Sequence, residues 1–147
     1  MAKNKRTIAI CCSASFYRQA LDVQVELRKR GFRVLIPLIA NTMKRNGDFN
    51  IETYKTWHKD AADYTKKAKL MKAHFKKVIQ SDAILVLNYE KNEMHGYIGG
   101  NGLMEMAIAF HYKKPIYVLN PVSKSSPLYE EILGMQPVFL NGDLRKI

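Results

Sequence analysis

Short apolar runs alternate with longer amphipathic stretches along this chain, and the alternation predicts strand, helix, strand in turn. Residues 7–12 (Thr-Ile-Ala-Ile-Cys-Cys) are almost continuously apolar, the pattern of a strand buried on both faces. Ser13-Ala14-Ser15 is a turn with N-cap candidates. Residues 16–30 read as a helix with Leu21, Val25 and Leu27 among its apolar positions, and Gly31 stops it as a C′ residue. Residues 32–37 form a second strand. Residues 38–50 are largely polar, contain Asn46-Gly47, and read as a long loop. Tyr54, Trp57, Ala61, Tyr64, Ala68, Met71, Phe75 and Ile79 follow at spacings that mix three and four. One long helix, or two joined end to end, buries that stripe, and many of the lysines lie off it. Residues 83–88 predict the third strand, 103–112 a helix and 115–119 the fourth strand. Residues 126–133 predict a short helix and 137–140 a weaker fifth strand.

This order predicts an α/β fold, a parallel sheet with helices on both faces. Right-handed crossovers leave few topologies, and the flavodoxin-like, Rossmann-like three-layer sandwich with strand order 2-1-3-4-5 is the natural one. A length of 147 residues suits a single domain, 1–147, and no repeat or low-complexity segment divides it. No apolar run approaches the ~18 residues that a membrane span needs. The N-terminal Met-Ala-Lys-Asn-Lys-Arg is charged, but a strand follows and no small-residue cleavage site appears, so no signal peptide is expected. Cys11 and Cys12 are adjacent and lack Cys or His partners at zinc spacing. They read as small buried residues in a reducing compartment, hence cytoplasmic, rather than as reactive thiols. The net charge of +11 favours anionic partners. Yet the lysines are spread along the chain and no nucleic-acid-reading motif accompanies them. A solvated lysine face fits better than a nucleic-acid interface, and its field helps capture a phosphorylated small ligand.

In such a sheet, ligands bind outside the carboxyl ends of the strands, at the switch point between the first and third. Segments 12–16, 89–102 and 120–126 converge there. Gly99, Gly100 and Gly102 permit positive φ and let a ligand approach the backbone. They form neither the Gly-x-Gly-x-x-Gly fingerprint nor a Walker loop. Glu105 is expected in the first turn of its helix. There it is either a capping-box carboxylate or a nucleophile, base or hydroxyl acceptor, and local sequence alone favours the cap. His74 sits at the edge of the apolar stripe, facing a cleft or solvent, and Asp82 reads as a turn-former. His58, His95 and His111 show no ligand spacing, and no metal site is expected.

Several of these elements together resemble the nucleoside 2-deoxyribosyltransferase superfamily, which includes 2′-deoxynucleoside 5′-phosphate N-hydrolases. The resemblance rests on the first strand with its Ser13 turn, the Ser-Asp-Ala-Ile-Leu-Val strand, the Gly-x-x-Glu-x-x-x-Ala motif (Gly102 to Ala109), and Lys-Lys-Pro-Ile-Tyr-Val-Leu. It looks closest to an uncharacterised branch carrying Tyr-Ile-Gly-Gly-Asn before the glutamate. The resemblance implies that Glu105 attacks C1′ of the deoxyribose and forms a glycosyl-enzyme intermediate, as in retaining glycosidases. Where the family usually has an aspartate, eight residues before Asp82, this chain has His74, which can exchange a proton with a purine. Where the family has a second acid or a serine, this chain has Gly99-Gly100-Asn101. Ser13 and the 99–102 turn (Gly99, Gly100, Asn101, Gly102) would hold sugar or phosphate, with Asn101 on the sugar and Tyr89 stacked on the base. The resemblance also implies a homodimer or larger assembly whose partner completes the site, Ser126 being a candidate contribution, and no cofactor. N-glycosidic cleavage or deoxyribosyl transfer is the leading function. A non-catalytic nucleotide-binding or sensing protein is the alternative that the His74 departure favours, and a nucleic-acid binder would rest on charge alone.

Overall fold

The apolar runs become strands β1 (Thr7–Cys12), β2 (Arg33–Leu35), β3 (Ala83–Leu87), β4 (Ile116–Val118) and β5 (Val138–Phe139). They form one sheet, all parallel, in the order β2-β1-β3-β4-β5. The structure is a computed structural model and describes residues 4–147; Met1, Ala2 and Lys3, the start of the charged N-terminal segment, lie outside the described residues. Helices are α1 (Tyr17–Lys29), α2 (Leu38–Asn46), α3 (Ile51–Tyr54), α4 (Tyr64–Gln80), α5 (Gly100–His111) and α6 (Tyr129–Gly134). Among the described residues no helix is long and apolar enough to cross a membrane.

Strand alternation builds the three layers. Ile8, Ile10, Leu85 and Leu87 point to one face and pack with Ala20, Val23 and Leu27 of α1. Ala9, Cys11, Ile84 and Val86 point to the other, against Val78 of α4, Met106 and Ala109 of α5, and Ile132 of α6. Asp82 locks β1 to β3 at the start of both strands. The Thr7 N–H donates to its carboxylate at 2.7 Å, and its own N–H donates to the Thr7 carbonyl at 2.8 Å. The register then runs from Ile8 opposite Ala83 to Cys12 opposite Leu87, so both strands reach the switch point level.

Three expectations change. The segment expected to be a loop, 38–50, contains α2, which buries Ala40 and Met43 and ends at Gly47 with φ of 64°. The Asn46-Gly47 pair is thus a left-handed helix cap rather than a loop signal. The stripe along 54–79 is also rotated. Ala61, Tyr64, Ala68 and Ile79 are exposed, while His74 and Val78 are the buried positions of α4. The large side chains misled because α4 covers the sheet with only part of one face and turns the rest of that stripe outward. Finally, α5 begins at Gly100, so the residues ahead of the expected 103–112 helix are already helical.

Candidate functional site

A cleft of about 400 Å³ opens at the carboxyl ends of β1 and β3, between α4, the α5 N-terminus and the segment from α2 to residue 57. Its lining includes Ser13, His74, Gly99, Gly100, Asn101, Gly102 and Glu105. Seven of the residues singled out in the sequence therefore meet in one place.

Two do not. Tyr89 belongs to the opposite side of the sheet, where its ring meets Phe16 edge-on with centroids 5.3 Å apart. It follows β3 on the face that packs against α1, so it is not placed to stack on a ligand in this cleft. Tyr97 and the buried Trp57 provide the aromatic walls instead. Ser126 lies outside the cleft, in a smaller adjoining hollow with Lys91 and Tyr97, and its hydroxyl accepts from the Leu128 N–H at 3.2 Å.

The glycines work differently from expectation. None of Gly99, Gly100 or Gly102 has a positive φ; the left-handed glycine of this segment is Gly96, with φ of 64°. Gly99 is the N-cap of α5 and has no side chain to cap with. At Gly102 a Cβ would stand 3.2 Å from the Ile98 side chain, so small size serves close packing there. The loop before them is held by Asn88. Its amide donates to the Asn120 carbonyl at 2.7 Å and to the Gly96 carbonyl at 3.3 Å, and its oxygen accepts from the Asn120 N–H at 2.8 Å. This clasp ties the ends of β3 and β4 to the turn that feeds α5.

Because α5 starts at Gly100, Glu105 lies beyond the first turn, which contains no acidic residue. A capping box needs its carboxylate at the third helical position, so that role is removed. Glu105 is 8% exposed and its carboxyl faces His74, with Oε2 3.9 Å from Nε2. Burial pushes the carboxyl up to about 7; the neighbouring Cys11 thiol and then the Lys67 charge pull it part of the way back. Burial, with the Lys77 charge second, pushes His74 down to about 4. The imidazole is therefore neutral near pH 7 while Glu105 is about half ionised, and the contact is not an ion pair.

Cys11 is the residue that sequence reading missed. Its Sγ lies 3.7 Å from His74 Nε2, and burial, reinforced by the Glu105 charge, pushes the thiol well above the usual range. The signal was the parity of β1: Cys11 shares a face with Ala9, the face that α4 and α5 cover. Cys12 has the opposite parity, packs with the α1 side and reaches the cleft only as the last strand residue.

Lysines complete the cleft. Lys55, Lys67, Lys77 and Lys91 all line it. The Lys91 ammonium donates to Ser13 Oγ at 3.0 Å and sits 5.0 Å from the Tyr97 ring centre. Lys67 stands 5.2 Å from the Trp57 ring centre. The cleft thus offers aromatic faces, ammonium groups and a buried carboxylate beside a neutral imidazole, groups able to stack, to pair with an anion and to hydrogen-bond. Searches with protein-family models and among curated proteins returned no match to this chain.

Proposed function

We propose that the cleft binds a nucleoside or nucleotide and that Glu105 opens its N-glycosidic bond, by hydrolysis or by deoxyribosyl transfer. The observation that carries this reading is a buried carboxylate on the cleft wall that is released from any capping role. The Gly102–Ala109 motif, shared with the superfamily that the sequence resembles, points the same way. In the first step the ionised carboxylate attacks C1′, and the C1′–N bond breaks with its electron pair leaving on the base, which takes up a proton from solvent water. In the second step water or an acceptor attacks C1′ and displaces Glu105; the attacker's proton passes to the freed Glu105 carboxylate and on to solvent, and neutral His74 accepts a hydrogen bond from the attacker. Trp57 and Tyr97 flank the base, and Ser13 and Lys91 meet the sugar or its phosphate.

Incubation with a panel of nucleosides and 5′-monophosphates, followed by chromatography for free base, tests the reading. Base release from at least one compound is expected. Glu105→Ala should abolish it while calorimetry still detects nucleotide binding, because a lost nucleophile costs far more in rate than in affinity. Release by Glu105→Ala at the wild-type rate would sink the mechanism. The second reading, a nucleotide sensor without turnover, is favoured by His74 standing where the family has an aspartate. Wild-type protein that binds nucleotides and releases no base would install it.

A further inference from the structure

We infer that Cys11, His74 and Glu105 together form a binding site for a thiophilic divalent transition-metal ion, zinc being the chemistry that fits best. Their three ligand atoms lie within 4.8 Å of one another. Sγ to Nε2 is 3.7 Å and Nε2 to Oε2 is 3.9 Å. A tetrahedral zinc with bonds of about 2.3 Å to sulfur and about 2.0 Å to nitrogen sets its ligand atoms about 3.5 Å apart. The Sγ–Nε2 pair already stands near that spacing, and drawing the carboxylate in, by an ångström or less for its contact with Nε2, brings the cluster towards the tetrahedral geometry.

The donor set suits the ion as well as the spacing does. Zinc is a borderline ion that accepts a soft thiolate, an imidazole and a hard carboxylate alike, and the combined charge of these three, about −2, neutralises a divalent cation. Each ligand comes from a different element, β1, α4 and α5, all packed into the core. Such ligands are held in place before the ion arrives. His74 and Glu105 line the cleft, so a fourth position opens towards it. Three protein ligands and one open position is the arrangement of a reactive or ligand-exchanging site rather than a closed structural one.

Binding sends the Cys11 proton, and whatever proton Glu105 carries, to solvent. It also occupies the carboxylate oxygen that would attack C1′. Metal binding and glycosidic turnover therefore exclude each other, and the inference stands without the reading of the previous section.

Cobalt(II) added to the reduced, chelator-treated protein is the probe. We expect a near-ultraviolet thiolate-to-cobalt charge-transfer band with visible bands of four-coordinate intensity, reversed by zinc. Cys11→Ser should remove the charge-transfer band and Cys12→Ser should keep it. His74→Ala and Glu105→Gln should each weaken zinc by more than the ~10–100-fold that an outer-sphere partner costs. Circular dichroism shows whether each variant is folded. No charge-transfer band in the wild type overturns the inference. So does a band lost in Cys12→Ser rather than Cys11→Ser, or wild-type zinc affinity in both His74→Ala and Glu105→Gln. Base release by metal-free protein is scored separately. Metal bound with no base released leaves this site standing and removes the glycosidic reading; base released with no metal bound does the reverse.

Discussion

Glu105 and His74 are shifted in opposite senses, and their effects on stability oppose each other. A carboxyl raised from 4.5 to about 7 keeps its proton in the folded state where the unfolded chain has lost it, so stability falls as pH rises through that window. An imidazole lowered from 6.5 to about 4 is neutral in the folded state where the unfolded chain is charged, so stability rises between those values. Each slope is about 1.4 kcal/mol per pH unit, and across the shared window they cancel. Glu105→Gln should expose the His74 term, gaining about 3 kcal/mol over wild type's own change between pH 4 and 6.5. His74→Gln should expose the Glu105 term, with stability falling by a similar amount between pH 4.5 and 7. Urea titrations at each pH read both, and two difference curves that stay flat would show that the shifts are absent. If the proposed cleavage operates, the same carboxyl sets its acid limb. Rate should climb with pH through about 7, and Lys67→Met should move that limb upward, since the Lys67 charge favours the ionised form. An unchanged limb in Lys67→Met would show that the Lys67 charge does not act on this carboxyl. Glu105 was legible in the sequence through its motif, but its depth in the helix was not, and that depth is what removes the capping-box reading. Cys11 was legible only as a strand residue, because its neighbours come from elements 63 residues and more away.

At the scale of elements, the strands read cleanly because a parallel sheet buried on both faces needs continuous apolar runs. Helix limits read less well. Gly99, Gly100 and Gly102 looked like a loop because glycine is a poor helix former, yet Gly100 and Gly102 lie inside α5. The close approach of Gly102 to Ile98 explains the one, and tertiary packing overrides propensity. The stripe on α4 misread for a related reason: one wall of that helix faces a cleft, and residues such as Lys67 and Lys77 occupy positions where a core-facing helix would carry apolar side chains. The element most exposed to a single change is the turn from β3 to α5. Gly96 has a positive φ, and a Cβ there would overlap the Pro121 carbonyl. Its own carbonyl is also held by Asn88. Gly96→Ala should therefore cost about 2 kcal/mol, seen as a melting temperature lower by roughly 4–8 °C. It should also weaken nucleotide binding, since Lys91, Tyr97 and Gly99 ride on the same turn. A variant that melts and binds like wild type would show that the turn is not constrained as described.

For the molecule as a whole, two surface features outlast the description of the core. The outer side of α5 is apolar: Met104 is 38% and Phe110 53% exposed, with Ala107 between them, whereas Met106 is fully buried in the sheet-facing layer. These exposed residues lie along one face, and a homodimer through it, as proposed from the resemblance, would bury that face. Light scattering at micromolar concentration should give twice the chain mass, and Phe110→Glu should return the monomer; a wild-type monomer would dispose of the dimer. The second feature is the field. With +11 net charge and Lys55, Lys67, Lys77 and Lys91 around the cleft, an incoming anion meets attraction both at long range and in the site. Burial pulls Lys67 and Lys91 below the usual lysine range, a cost that a bound phosphate would offset by favouring their charged forms. Salt separates this from ring stacking. Raising ionic strength from 0.01 to 0.15 M shortens the screening length from about 30 to about 8 Å. A 5′-monophosphate should lose affinity across that range, and the matching unphosphorylated nucleoside should not. Lys91→Met should flatten the monophosphate's salt dependence with little effect on the nucleoside. Equal salt dependence for both ligands would mean that the lysines contribute only a solvated face, and that the cleft selects its ligand through Trp57, Tyr97 and hydrogen bonding.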